Sequence, residues 1–430
     1  MSAELKHTGA LDLDLVRAAC LEAGVVLDEA GGLGGGPAVR PATEASLGVL
    51  ISALSALPTR SSQSTVRLVP LGGGGQLSWC RPDASRSPKD FLQLSMRALL
   101  GDESSTGVVE YVPGDGTLTA LAGAEVAVLR ATVAEGGHRL TPAVFGSCTL
   151  GGVLAAGRSG LDRHSLGPTK HHLLGMRMID GTGRHLRSGG RLVKNVTGFD
   201  LHRLHAGGRG IFGPIVEASM RLMPAPEAEQ YLTSGACASA TAAVELALAI
   251  RGATRIREQA VFVRDRVVHV LLSGRDRQVE ADRRRLEELL TNLEEHDPGP
   301  GAEAFHMAGD GAEGQGSAVR LSTVPSRVAA VVAALEGSLG ELSGAVIQPG
   351  VAQVDLPLDG LSSASSWPAL LEAQLSLRGP LPESLRLKIA TSTMGTSTVA
   401  TGPASQWSRR LVEAFDPAGL FQTEGFPARS

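Results

Sequence analysis

Two short glycine segments are the places where the backbone itself could do chemistry. One follows the apolar run 66–71 and reads Gly72-Gly73-Gly74-Gly75-Gln76-Leu77. The other, residues 141–157, reads Thr-Pro-Ala-Val-Phe-Gly-Ser-Cys-Thr-Leu-Gly-Gly-Val-Leu-Ala-Ala-Gly. Glycine has no Cβ, so a run of glycines lets backbone N–H groups approach an anion closely. In the second segment Gly146, Gly151, Gly152 and Gly157 clear the space, while Ser147 and Thr149 add hydroxyls. Residues 153–156 suit a helix, whose N-terminus would add a positive end. A diphosphate is the natural guest for both segments. A two-residue hairpin turn needs at most two glycines, so four in a row after a strand favour a ligand over a plain turn.

The surrounding elements must position these segments. Residues 11–30 read as a helix, and the glycine run 31–36, with no preceding strand and no following Lys-Ser/Thr, reads as a flexible linker. Thr43 is placed to cap a helix reaching about Ala56, with Glu44 in its first turn. Residues 107–113 and 116–122 read as strands around Pro113-Gly114-Asp115-Gly116. Ala122, Val126, Leu129 and Val133 recur at helical spacing up to Gly136-Gly137. Residues 173–180 and 211–222 are further strands, with Pro224 and Pro226 closing the second.

Beyond Glu227 the texture changes. A helix at 239–250 with Ser239 as N-cap, a hairpin at 260–272, a charged helix around Leu286 to Leu293, a strand at 317–323 and a helix through Val328 to Leu335 follow. A long strand at 345–356, a helix at 367–377, a strand at 384–390, a linker at 391–405 and a final amphipathic helix with Trp407, Leu411, Ala414 and Phe415 complete the pattern. Strands alternating with outer helices predict a separate α+β unit.

Composition removes several classes. A net charge of −4 over 430 residues gives no reason to expect nucleic acid or an anionic membrane as partner. The acidic N-terminal residues carry no apolar run of the secretory kind, and no apolar stretch has membrane-spanning length. Cys20, Cys80, Cys148 and Cys237 are far apart, without a Cys-x-x-Cys pair, so an iron–sulfur cluster or structural zinc is not expected here. Sparse cysteines fit a reducing, cytoplasmic setting.

Four motifs in order carry a resemblance. Gly72 to Leu77 with Trp79, then 145–157, then Val193-Lys194-Asn195-Val196-Thr197-Gly198-Phe199-Asp200, then Gly210-Ile211-Phe212-Gly213-Pro214-Ile215-Val216-Glu217 resemble the FAD domain of the vanillyl-alcohol oxidase / p-cresol methylhydroxylase (PCMH) type. The Lys-Asn-Val-Thr-Gly-Phe-Asp run and the tail Phe415-Asp416-Pro417-Ala418-Gly419-Leu420-Phe421 are most similar to the E-type subunits of glycolate oxidase. The resemblance spans roughly residues 37–226 plus the tail.

It implies an α+β fold: a two-lobed FAD-binding domain followed by an α+β cap domain with a mainly antiparallel sheet. The expected divisions are an N-terminal helix and linker at 1–36, the FAD-binding domain at 37–226, the cap at 227–404, and a C-terminal helix and tail at 405–430 that return to the FAD domain. FAD would lie between the lobes with its diphosphate on the two glycine loops. The implied cofactor contacts are Leu71, Gly72, Gly73, Gly74, Gly75, Gln76, Leu77, Phe145, Gly146, Ser147, Thr149, Leu150, Gly151, Gly152, Ala155, Gly157, Lys194, Asn195, Gly213 and Ile215. Lys194 and Asn195 either tie their loop to its neighbours or reach the flavin and its phosphates.

Departures from the family pattern shape the rest. Covalent relatives use a His near the first loop, whereas Gln76 and Leu77 stand here, so FAD is expected to be non-covalent. Pro214 removes one backbone donor beside the cofactor. Gln422-Thr423-Glu424-Gly425 replaces the usual Asn-Pro-Gly-Arg after the tail motif. The metal-binding histidines of larger 2-hydroxy-acid dehydrogenase subunits are not visible in the cap sequence.

The implied function is an FAD-dependent oxidoreductase subunit acting on a small 2-hydroxy acid such as glycolate. Its expected partners are a larger FAD subunit and an iron–sulfur subunit, in the cytoplasm or at the inner membrane through those partners. The alternative is a non-catalytic FAD-fold subunit that serves assembly. Catalytic residues are not identified; Arg264 or Arg320 could pair a substrate carboxylate, and His269 or His306 could act as base. Two rival motifs are weaker. Gly309 to Gly314 fits G-x-G-x-x-G but precedes a strand, and His202 with His205 has zinc-like spacing but reads as a solvent-facing pair on a short helix.

Overall fold

Among the described residues, three larger antiparallel or mixed sheets, each with its own apolar core, and two two-stranded ribbons build the molecule. The computed structural model describes residues 11–57, 59–60, 63–64, 66–74, 91–102, 104–141, 144, 147–190, 200–253, 256, 258–290, 292–296, 318–357 and 410–421.

The first lobe begins with helix Leu13–Ala23, capped by the Asp12 carboxylate. It stops well short of the expected residue 30, because Gly24 turns left-handed (φ 62°) and a short strand, Leu27–Asp28, follows. Helix Glu44–Ser55 starts as expected: Thr43 accepts from the Ser46 amide, and the Ser46 hydroxyl reaches back to the Thr43 backbone. Such a cap contributes about 1 kcal/mol. The sheet orders Leu27–Asp28, Ala38–Val39, Leu92–Ser95 and Leu68–Leu71, antiparallel at the first pair and parallel at the other two. Val16, Leu47, Leu50, Ile51, Leu54, Leu68, Leu92 and Leu94 fill its core.

The expected linker at 31–36 is instead an ordered turn, Leu33–Gly35. Buried Gln93 holds it from a distant strand: the Leu33 amide donates to Gln93 Oε1 (2.8 Å), and Gln93 Nε2 donates to the Leu33 carbonyl (2.9 Å).

The second lobe is a five-stranded antiparallel sheet in the order His185–Gly189, Leu173–Ile179, Ile215–Arg221, Thr117–Leu121, Val108–Val112. Helices Val126–Glu135 and Leu150–Ala156 pack into its core through Val126, Leu129, Val133, Leu150, Val153 and Leu154. The last strand is shorter than the expected 211–222. Gly210 (φ 77°) and Gly213 (φ 109°) keep Ile211 and Phe212 in a turn. Ile179 and Val216 leave this lobe to join the core of the first. A charged fork also joins the lobes: Arg177 contacts Glu44 and Glu217 (2.8 Å each), and His185 contacts Glu44 (3.0 Å).

The cap is a seven-stranded antiparallel sheet ordered Glu294–His296, Ala228–Thr233, Val267–Gly274, Glu258–Arg264, Val346–Gln348, Gln353–Pro357, Ala318–Ser322. Helices Ala240–Gly252, Asp276–Leu289 and Val328–Leu339 cover one face through a Val/Leu/Ala core. The other face presents Tyr231, Ala260, Phe262, Leu271 and Val346, against which Leu161 of the second lobe packs. The expected single strand at 345–356 is two strands, broken by the turn Pro349–Val351. Proline has no N–H to continue a ladder, so the break follows from local chemistry. The elements expected at 367–377, 384–390 and 391–405 lie outside the described residues; residues 410–415 are helical.

Candidate functional site

The strand Leu68–Leu71 delivers the first glycine segment to the seam between the lobes. There a cleft is lined from one side by Val69 to Gly74, and from the other by Ser147, Thr149, Gly151, Gly152 and Ala155. Gly210, Gly213, Pro214 and Ile215 close a third side, and Phe421 a fourth. Of the residues expected from sequence, Leu71, Gly72, Gly73, Gly74, Ser147, Thr149, Gly151, Gly152, Ala155, Gly213 and Ile215 meet in this one cleft. A second, more polar recess continues past Leu71, Gly72 and Gly73 to Gly31, Gly32, Arg40, Gln93, Ser95 and Arg97.

Two expected residues stand back from the cleft. Leu150 is fully buried in the second core. Gly157 is the left-handed C-cap of helix Leu150–Ala156, and a Cβ there would lie 2.9 Å from Gly207 Cα. Gly75, Gln76, Leu77, Phe145, Gly146, Lys194 and Asn195 lie outside the described residues, as does the Gly309–Gly314 motif.

The two glycine segments do different work. Among the described residues no protein acceptor takes the amides of Gly72, Gly73 and Gly74. In the second segment the amides of residues 150–153 are already used. Leu150 N–H donates to Ala124 O (2.9 Å), Gly151 N–H to Ala122 O (2.8 Å), Gly152 N–H to Thr149 Oγ1 (3.3 Å) and Val153 N–H to Thr149 O (3.0 Å). The helix spans seven residues, and its first four N–H groups have protein acceptors. Glycine is needed for packing in both segments: a Cβ on Gly151 would lie 2.7 Å from Ala122 Cβ, and one on Gly73 of the first segment 2.6 Å from Ser147 O. The residues fit an extended dinucleotide, with amides at the first loop that have no acceptor among the described residues and apolar walls for a flat ring.

Sequence reasoning missed several lining residues. Arg209 lines the cleft with φ 55°, a conformation rare for a side chain other than glycine, and donates its amide to Ala155 O (2.8 Å). Its neighbours Gly207, Gly208 and Gly210 were the available signal. Phe421 reaches the cleft from far along the chain.

His202 and His205 are buried, not solvent-facing as expected. His202 Nδ1 pairs with Ser188 Oγ (3.0 Å), and burial lowers its pKa. His205 packs tilted against Phe212 (5.3 Å) and edge-on against Phe415 (5.5 Å), and burial pushes it down to about 4. His172, also lowered by burial, contacts the Leu166 carbonyl (2.9 Å). All three sit in the second lobe as neutral core rings.

In the cap, backbone pairing sets Arg264 opposite Val346, Val346 opposite Asp355 and Asp355 opposite Arg320, one row on one sheet face. His269 is held by the Tyr231 hydroxyl at Nδ1 (2.7 Å) and stacks on Phe262 (4.3 Å, 3°). Burial pushes Tyr231 up to about 12. His306 lies outside the described residues.

Fold and cleft define the class, a two-lobed α+β FAD-binding fold of the PCMH type with an antiparallel cap. Residues 51–189 match the FAD binding domain family, and this part of the chain is an FAD-binding domain. Among curated relatives, the chain is 38% identical over 129 residues to glycolate oxidase subunit GlcE of Escherichia coli (strain K12), covering 29% of this chain and 37% of that protein. It is 27% identical over 216 residues to D-2-hydroxyglutarate dehydrogenase of Xanthomonas citri pv. viticola, covering 50% and 43%. These alignments span less than half the length of either relative. Chitooligosaccharide oxidase has a similar fold over 97% of this chain and 100% of its own, with a TM-score of 0.67 at 14% identity. Alkyldihydroxyacetonephosphate synthase gives a TM-score of 0.61 over 89% and 75%, at 15% identity. At such identity the structural likeness speaks for the fold alone.

Proposed function

We propose that the chain is a non-covalent FAD-dependent oxidoreductase subunit acting on a small 2-hydroxy acid, within an assembly containing a larger FAD subunit and an iron–sulfur subunit. The observation that carries this is the cleft at the lobe seam, lined largely by the matched FAD-binding domain, with three glycine amides that no acceptor among the described residues takes. The names of the relatives support a hydroxy-acid substrate and a multi-subunit setting.

In this reading Gly72, Gly73 and Gly74 hold the diphosphate through backbone N–H groups, continued by Gly75, Gln76 and Leu77. Arg209 supplies a positive charge beside it. Val69, Ala155, Ile215 and Phe421 form a dry wall against a flat ring, and Phe145, Gly146, Lys194 and Asn195 complete the site. Ser147, Thr149, Gly151 and Gly152 keep the second lobe's backbone close enough to shape the opposite wall. Bound FAD supplies hydride acceptance; the protein orients it and excludes water. We divide the chain at 36/37, 226/227 and 404/405. No helix among the described residues is long and apolar enough to cross a membrane, and we place the chain in the cytoplasm, held at the inner membrane through its partners.

The test is spectroscopic, then kinetic. Purified protein shows a flavin spectrum, and acid precipitation releases the colour to the supernatant. Colour retained by the pellet refutes the non-covalent form. Dye reduction with glycolate and D-lactate is weak for the lone chain and strong for the co-purified assembly. Strong turnover by the lone chain refutes the need for partners. An assembly whose turnover survives removal of FAD from this chain favours the assembly-only role.

A further inference from the structure

Residues 410–421 close the molecule in a way the proposed chemistry does not itself require. Residues 410–415 form a helical turn that seats Val412 and Phe415 against Ile211, Phe212 and Leu204 of the second lobe. The Gly181 amide donates to the Phe415 carbonyl (2.6 Å), fixing the turn to the end of strand Leu173–Ile179. Asp416, fully buried, then folds the chain back. One carboxylate oxygen accepts from the Leu420 amide and the other from the Phe421 amide (2.9 Å each), with Gly419 left-handed (φ 73°) between them.

The return lands on the first lobe. The Leu68 amide, at the start of the glycine-loop strand, donates to the Leu420 carbonyl (2.8 Å). Leu420 enters the core with Leu68, Ile179 and Val216, and Phe421 lines the cleft. One short segment therefore grips both walls of the cofactor cleft. Phe212, under its helical turn, directly precedes the cleft residues Gly213 to Ile215.

We propose that residues 410–421 form a strap whose docking is thermodynamically coupled to FAD binding, with Asp416 its positioning residue and Phe421 its contact in the cleft. This rests on the cleft being the FAD site. A ligand that binds the strapped state better stabilises the strap by the same factor that the strap improves binding. The strap thus reports cofactor occupancy over both lobes.

Gly181 offers a lever outside the cleft. Its φ is not in the left-handed region, so alanine suits its backbone, but a Cβ there would lie 2.5 Å from Asp416 Oδ1 and 2.7 Å from Asp416 Cα. Gly181→Ala is compared with Gly114→Ala, whose added Cβ meets open space. FAD affinity is read by flavin fluorescence, and docking by amide exchange at Leu420 and Phe421. The expected results are a loss of affinity of about 5- to 50-fold for Gly181→Ala, none for Gly114→Ala, and slower exchange at both amides of the wild-type chain when FAD is added. Phe421→Ala, which leaves the Asp416 turn in place, loses affinity as well. Wild-type affinity in both Gly181→Ala and Phe421→Ala, or exchange indifferent to saturating FAD, overturns the strap while leaving the FAD site intact. A wild-type chain that takes up no FAD overturns the site reading, and the strap with it.

Discussion

The glycines at 72–74 and those at 151–152 look alike in sequence and differ in structure. At the first segment, glycine leaves amides without a protein acceptor among the described residues. At the second, the amides of residues 150–153 are committed, and Gly151 serves close approach of the helix to Ala122. Both segments need glycine for close packing, and the first also leaves its donors bare. Only the fate of the N–H groups separates them.

Substitution should separate them experimentally, and the largest effect is expected at Gly151. Gly151→Asp drives a Cβ and a carboxylate into buried backbone at Ala122, so the FAD-free protein should lose several kcal/mol, on the order of 3 or more. Gly74→Ala, whose Cβ meets only the end of the Leu33 side chain but whose φ of 77° disfavours alanine, should cost roughly 1–2 kcal/mol. Thermal melts of both variants without FAD check the order. An unchanged FAD-free melt for Gly151→Asp, with only flavin uptake lost, would make the second segment a cradle after all.

Acid should next distinguish the lobes that carry these segments. His205 is held near 4 in the folded protein, below its unfolded value of about 6.5. Between those values the unfolded chain binds more protons, so stability is complete above pH 6.5 and declines as pH falls toward 4. Below that, this contribution is flat. The full loss is roughly 3 kcal/mol, and His172 and His202 act in the same direction. Amide exchange at pH 5 should show the second lobe opening before the first. His205→Phe should flatten the pH slope of the melting temperature; an unchanged slope removes His205 from this account.

The smallest expected effect sharpens the anion side. Arg209→Ala should weaken FAD binding about fivefold to tenfold, about 1 kcal/mol, with the FAD-free melt unmoved. The deficit should shrink in high salt, where the wild-type charge is screened. Equal affinities at low salt would take Arg209 out of the phosphate site.

Much of the scaffold was legible because its signals are local. The Thr43 cap, the 108–121 hairpin and the Val126–Glu135 helix follow from capping chemistry, turn residues and period. The cleft residues at 71–74, with Ser147, Thr149, Gly151, Gly152, Ala155, Gly213 and Ile215, came from motif resemblance, and they do converge. What stayed hidden depends on distant partners. The turn at 33–35 is ordered by Gln93, the two histidines are buried by Ser188, Phe212 and Phe415, and Phe421 meets the cleft only through the Asp416 turn. The spent amides at 150–153 were equally invisible, since their acceptors at 122 and 124 belong to another element.

The return of Leu420 to Leu68 also orders events during synthesis. The first lobe's strands are complete by residue 95, yet the core that contains Leu68 and Leu94 includes Leu420 and Phe421. More than three hundred residues must be translated in between, roughly 15–65 s at ribosomal rates of 5–20 residues per second. For that interval the growing chain carries an unsealed apolar face beside the glycine loop. The first lobe therefore completes its core only after residues 420–421 have been made.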